Sequence, residues 1–388
     1  MLRSMIHPLS LTAMSALFVA LLMAVFPNET IYASLRGLSI WWQVLFPALF
    51  PFFVISEVLL GLGIVHFLGK LLDPLMRPLF RLPGIGGFVV AMGYMSGYPV
   101  GARLTSQLWE QRLITRIEGE RLVAFTTTSD PIFLIGAVSV GFFHNVALAP
   151  VLAAAHYGSG FAVGLLMRLH GRSEEIGSKR HGSSEPSAEN PIVSASTSSS
   201  SARGDSDPSP SVPVAGGKTR QRSRFYSALH AMHEARLLDG RDMGRLLQDA
   251  VQSALKLMIV VGGLVVFFSV VMEMLTHAGL VSALSEGLRL VLGLAGLPPA
   301  LADAVVYGLF EVTLGARAAG MAGTGLLHQA AIAAWVLSWA GLSVHAQVAS
   351  LVSRTTMRYR PFLIARLLHA FLAAIMVYLL WGFLGPSL

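Results

Sequence analysis

MGYMSGYPVGAR, residues 92–103, interrupts an otherwise apolar segment and ends on an arginine. Pro99 has no N–H and biases Tyr98 away from helix, while Gly97 and Gly101 accept dihedrals and close approaches that other residues resist. The pattern predicts a helix that breaks. Broken backbone in hydrocarbon leaves polar groups unpaired, so it persists only where it is buried in protein or lines a wet cavity. Many membrane transporters build their central sites from such interrupted helices.

The surroundings are membrane-like. Of 388 residues 54% are hydrophobic and 13% charged, against roughly 25% charge in an average soluble domain. This composition predicts an all-α polytopic membrane protein. Basic residues flanking the spans account for the net charge of +7, and no basic face with interleaved aromatics implies a nucleic-acid partner. The absence of cysteine excludes disulfides, thiolate metal sites, iron–sulfur clusters and cysteine nucleophiles. No nucleophile elbow, His-Glu-x-x-His or phosphate-binding glycine loop occurs, so no enzyme, cofactor or metal site is implied. The run from Leu9 to Phe26 is not followed by an Ala-x-Ala cleavage site and reads as a retained first span.

Downstream of that run, Leu38 to Ile64 carries Pro47, Pro51 and Glu57 and should be kinked or re-entrant. Leu68 to Phe80 mixes charges with leucines at helical spacing, the pattern of an interfacial helix. Thr115 with Glu118 makes a capping box. Thr126 to Pro131 interrupts the chain again. Residues 171–225 are rich in Ser and Pro and should not fold, since too little apolar surface offsets the ordering entropy. The chain therefore divides into a membrane half over 1–170, the insert and a polar helix over 171–250, and a second membrane half over 251–388.

The halves repeat. A shift of 216 residues aligns Glu57 with Glu273, Gly63 with Gly279 and Pro83 with Pro299. Two residues of slack then set Gly101-Ala102-Arg103 on Gly315-Ala316-Arg317, with the first break falling on Glu311 to Gly315. A further shift sets Thr126 to Asp130 on Ser338 to Leu342. Paired interruptions at matching places in two halves point to a central site.

An arginine at a helix centre costs roughly 2.5–3.5 kcal/mol on insertion scales, so Arg103 and Arg317 should face water or partners. Either they pair with Glu57, Glu273, Glu311 or Asp130, or they clamp an anionic substrate by forking onto its carboxylates, or they lie at the membrane interface. The hydroxyls of Thr127, Thr128, Ser129 and Ser343 lie beside the second break of each half. There they could bind a carboxylate or a sugar hydroxyl, or cap the following helix, and capping suits Asp130 best. His345 fits a hydrogen-bonded core histidine or a proton relay, and Glu311 a proton-coupling group. Trp41 and Trp42 fit interface anchors.

SGYPVGARLT (96–105), ERLVAFTTTSDPIFLIGAVSVGFF (120–143), GLFEVTLGAR (308–317) and SWAGLSVHAQVAS (338–350) resemble the sporulation integral membrane protein YlbJ family. The resemblance covers most of the chain outside the insert. It implies a nucleoside-recognition or gate domain, a fold similar in part to concentrative nucleoside transporters, and a mother-cell membrane protein of a spore former that moves dipicolinic acid toward the spore. It also marks Ser96, Gly97, Tyr98, Pro99, Gly101, Arg103, Glu311, Thr313, Gly315 and Arg317 as motif positions. The expected partners are a small anionic substrate and the lipid bilayer, with a homo-oligomer left open. A nucleoside carrier of the same architecture and a non-transporting gate or scaffold subunit are the alternatives.

Overall fold

A computed structural model describes residues 8–171 and 224–386. The Ser/Pro-rich insert lies outside these except for Gly171, Arg224 and Phe225. Among the described residues every regular element is helical. Helix α1 (Pro8–Val25) turns through 106° at Phe26-Pro27 into α2 (Pro27–Ile40), so the first apolar run is one arm of a bent pair. A π-wound turn, Trp41–Leu45, joins α2 to α3 (Phe46–Gly61). There the Phe46 N–H reaches back to Trp41 O just before Pro47, which has no N–H to continue an α ladder. At Gly63, whose φ of 76° suits glycine, the chain bends by 82° into α4 (Ile64–Phe80).

The predicted breaks are present. Helix α5 (Gly86–Ser96) stops at Gly97, with φ 87°, and α6 (Tyr98–Glu110) restarts with Pro99 in its first turn. Helix α7 (Arg116–Thr126) opens on the Thr115/Glu118 capping box. Residues 127–130 are non-helical, α8 (Ile132–Phe142) is wound as a π-helix, and α9 (Ala149–Met167) closes the first half. Helix α10 (Arg224–Asp239) packs on α4, and α11 (Met243–His277) runs unbroken across residues 250 and 251, between which the sequence reading divides the polar helix from the second half.

The second half repeats the order with α12 (Leu280–Leu294), α13 (Ala302–Phe310) and α14 (Val312–Gly320), then α15 (Leu326–Trp339), α16 (Gly341–Val352) and α17 (Tyr359–Leu384). Gly279, with φ 73°, starts α12 as Gly63 starts α4. Glu311 is extended between α13 and α14, and Ala340 takes φ 74° between α15 and α16. Both breaks answer those of the first half.

Packing fixes the relation between the halves. Gly37 fits against Ser269 and Val266, Trp41 against Gly262, and Gly61 against Leu246. Rising numbers in α2 and α3 meet falling numbers in α11, so these repeat-equivalent helices run antiparallel. Likewise Gly158 meets Met376 while Gly160 meets His369, so α9 and α17 run antiparallel too. One half is inverted relative to the other. Trp41 is part of this packing rather than an interface anchor: its indole Nε1 donates to Met258 O at 2.9 Å, while Trp42 stays exposed.

Among the described residues four helical segments are long and apolar enough to cross a membrane, or up to six if each bent pair is one span. Helix α17 shows the membrane logic. Ile364, Phe371, Ile375 and Leu379 face outward, while Arg366, His369, Ala370 and Ala373 are buried. An apolar rim around a partly polar interior is stable in lipid, not in water.

Adjacent glycines on α11 test the antiparallel contact. A Cβ on Gly262 would lie 2.5 Å from the Trp41 indole, whereas one on Gly263 would meet nothing within 4 Å. Gly262→Ala should cost about 1–3 kcal/mol by overpacking, lowering the unfolding midpoint followed by tryptophan fluorescence in detergent. Gly263→Ala should leave the midpoint unchanged or raise it.

Candidate functional site

All four breaks border one cavity of about 260 Å³. Tyr98 and Pro99 come from the first break, Asp130 from the second, Glu311 and Thr313 from the third, and Ser343 from the fourth. Leu45 and Leu49 on one side and Val261 and Val265 on the other supply its apolar walls, and Gln347 adds an amide. The crossing of the two inverted helices therefore forms part of the site.

The helix ends facing this cavity are not alike. Asp130 Oδ1 accepts from Phe133 N–H at 2.8 Å and Glu311 Oε2 accepts from Leu314 N–H at 2.8 Å, so α8 and α14 start under carboxylate caps. No side chain caps α6 or α16. Each repeat-related pair, α6 with α14 and α8 with α16, thus has one carboxylate-capped end and one bare end. A helix N-terminus carries roughly half a positive charge, so two bare and two carboxylate-capped helix starts share the cavity. Arg36 brings a full positive charge, already paired with Glu273 at 3.0 Å.

Behind the cavity the C-terminal ends of α7 and α15 converge, and their orphan carbonyls need donors. Arg366, fully buried on α17, donates to Thr127 O and Ala124 O from one half and to Ser338 O, at 3.4 Å, from the other. The cation thus serves two negative helix ends together. His156 makes a second bridge. Its Nε2 accepts from Ser129 N–H at 3.0 Å, which leaves Nδ1 as the protonated nitrogen that donates to Ser338 Oγ at 2.8 Å. The Tyr98 hydroxyl donates across to Leu337 O at 2.9 Å.

The residues expected from sequence separate into two groups. Tyr98, Pro99, Glu311, Thr313 and Ser343 border the cavity, as does the capping Asp130. The others lie around it. Gly97 is the hinge itself. A Cβ on Gly101 would meet Thr126 O at 2.6 Å and one on Gly315 would meet Gly308 Cα at 2.3 Å, so both allow close backbone contact. Ser96 is buried, and the Thr127 and Thr128 hydroxyls donate to Val123 O and Gly93 O. Ser129 offers its backbone to His156, and His345 is held between Tyr359 and Trp339 O. Arg103 pairs with Glu57 and Ser253, and Arg317 is exposed, with neither on the cavity wall. The two guanidiniums do not form a clamp here: Glu57 holds one, and the other is not aimed inward. Arg36, Gln347 and Arg366 were missed by sequence reasoning. Only Arg366 carried a signal, as a lone charge within the last apolar segment.

A family model described as Gate, nucleoside recognition, matches residues 42–153. The sporulation integral membrane protein YlbJ of Bacillus subtilis is 42% identical over 355 residues, covering 92% of this chain and 78% of that protein. An uncharacterized protein of Alkalihalophilus pseudofirmus is 25% identical over 158 residues, covering 38% of this chain and 34% of its own length. No solved structure matches.

Removing the Arg366 donors should be severe. Arg366→Met loses at least two charge-assisted bonds at about 1.5–3 kcal/mol each, so the detergent-solubilised protein should unfold at a clearly lower temperature. Arg366→Lys keeps the charge without the fork and should fall between wild type and Arg366→Met.

Proposed function

The chain belongs to the sporulation integral membrane protein YlbJ family, and we propose that it is a transporter carrying dipicolinate across the mother-cell-derived membrane toward the developing spore. The observation that carries this reading is the convergence of four helix breaks on one cavity. Inverted halves with discontinuous helices at a shared site are the plan of many secondary transporters, and we take concentrative nucleoside transporters as the nearest kind. On this reading residues 1–170 and 251–388 form the transport unit, and 171–250 is appended to it.

Dipicolinate is a flat ring with two carboxylates. The bare starts of α6 and α16 offer two sites of partial positive charge for them, with Tyr98 and Ser343 alongside. Thr313 and Gln347 supply further polar contacts, and Leu49 and Val265 an apolar surface for the ring. Arg36 raises the local potential at the mouth.

A nucleoside is the second reading, and a specific observation favours it. Asp130, Glu273 and Glu311 outnumber the single wall arginine, which is itself paired. Neutral solutes with many hydroxyls suit such a wall better than a dianion does.

Orientation follows from charge. Arg121 reaches Arg81 O and His170 O, and Glu120 holds Arg358, which gathers the basic loops around residues 81, 112–116, 168 and 354–360 at the Glu57 end. The positive-inside rule puts that end in the cytoplasm.

Purified protein in liposomes should take up labelled dipicolinate, and uridine poorly. Uptake of uridine alone would select the second reading, and uptake of neither would end the carrier proposal. If the solute is a dianion, Glu311→Gln removes a repelling charge and should lower the apparent KM about two- to tenfold. For a neutral nucleoside the same variant should leave KM unchanged or raise it.

A further inference from the structure

The cavity is open at one end and sealed at the other, and repeat-equivalent glutamates mark the two ends. Glu57 stands at the sealed end. Its carboxylate accepts from Arg103, from Gln107 at 2.8 Å and from Ser253 at 3.2 Å, and the Glu57 and Arg103 side chains are 12% and 13% exposed. Between this network and the cavity, Phe53, Val100, Leu257 and Met258 fill about two helical turns of α3 and α11, about 12 Å at 1.5 Å per residue, and one turn of α6. Beyond Glu57 the chain opens again into a polar vestibule of about 340 Å³, bordered by Gln111, Asp239, Arg241 and Asp249. Two spaces on one axis are thus divided by an apolar plug and an ion-pair latch.

Glu273 stands at the other end, on the cavity wall. It pairs with Arg36 at 3.0 Å, the Glu273 and Arg36 side chains being 25% and 55% exposed, and its other oxygen lies 3.3 Å from His277 Nε2. The arginine that answers Arg103 in the repeat is Arg317, one helical turn beyond the cavity residue Thr313, as Arg103 is one turn beyond Pro99. Among the described residues Arg317 is exposed and has no ion-pair or hydrogen-bond partner. The latch components of the open end are therefore present but not joined.

We propose that Glu57/Arg103 and Glu273/Arg317 are alternating gates: the first pair parts as the second forms, and the cavity then opens into the vestibule instead. Inverted halves exchange conformations when such a protein switches sides, so the contact made by one repeat becomes available to the other. In the state seen here Glu273 is taken by Arg36 and His277 instead. This inference rests on the transporter reading, yet its test reads conformation, not uptake.

The chain has no cysteine, so introduced thiols report without background. In the full-length protein in membranes, Glu273→Cys with Arg317→Cys should crosslink with a short dithiol-reactive reagent such as dibromobimane. Glu57→Cys with Arg103→Cys should do so as well. Because removing the charges could weaken the fold, single thiols give a second measure with both pairs intact. Ala254→Cys reports the sealed end, where Ala254 is wholly buried, and Ser269→Cys reports the cavity.

Adding Glu57→Gln should raise labelling of the Ala254→Cys thiol by an impermeant reagent about tenfold and lower that of the Ser269→Cys thiol in parallel. A rise at residue 254 with no fall at residue 269 would make the pair a static seal and overturn the proposal. So would a failure of the Glu273→Cys, Arg317→Cys pair to crosslink when each single thiol labels. If the reciprocal labelling holds but liposomes take up neither solute, the gates stand and the carrier reading falls. Uptake without the reciprocal change gives the reverse.

Discussion

A helix broken inside a membrane must find partners for its loose carbonyls, and Arg366 meets that need for both halves together. Its guanidinium collects carbonyls from the ends of α7 and α15, which would otherwise oppose like partial charges across a short gap. A buried cation is costly in isolation, but here it is hydrogen-bonded to two negative helix ends. Tyr98 and His156 complete the arrangement by reaching backbone and hydroxyl groups of the same segments. These bonds hold the breaks in place around the cavity.

Inversion explains why the cavity lies where it does. Two equivalent helices that pack antiparallel meet about a point near Leu45 to Leu49 and Val261 to Val265, and those residues border the cavity. Symmetry is nevertheless incomplete at the level that chemistry uses. Asp130 caps in the first half and Glu311 in the second, at non-equivalent breaks. The site is therefore framed by symmetric backbone and decorated by asymmetric charge.

Much of this was legible in the sequence for a local reason. Pro99 beside glycines, a hydroxyl run before Pro131, and matched Gly-Ala-Arg triplets all act over a few residues, so the breaks, the capping box and the repeat were readable from residue type and spacing. Partner choice was not. Arg103 could have paired with any of several carboxylates, and its engagement with Glu57 depends on how α3, α6 and α11 pack. The hydroxyls of Thr127 and Thr128 turn back onto nearby carbonyls instead of toward the cavity, because buried threonines beside a break serve orphan acceptors first. Arg36 gave no local sign, since its place on the wall comes from the antiparallel pairing of α2 with α11.

The unequal exposure of the two glutamate ion pairs couples the molecule to its surroundings. Mobile ions screen a wetted pair over a Debye length of about 8 Å at physiological ionic strength, and scarcely reach a pair enclosed by protein. Salt on the open side therefore weakens the hold of Arg36 on Glu273 more than it weakens that of Arg103 on Glu57. The two ends of the fold thus differ in their sensitivity to the ionic composition of the medium.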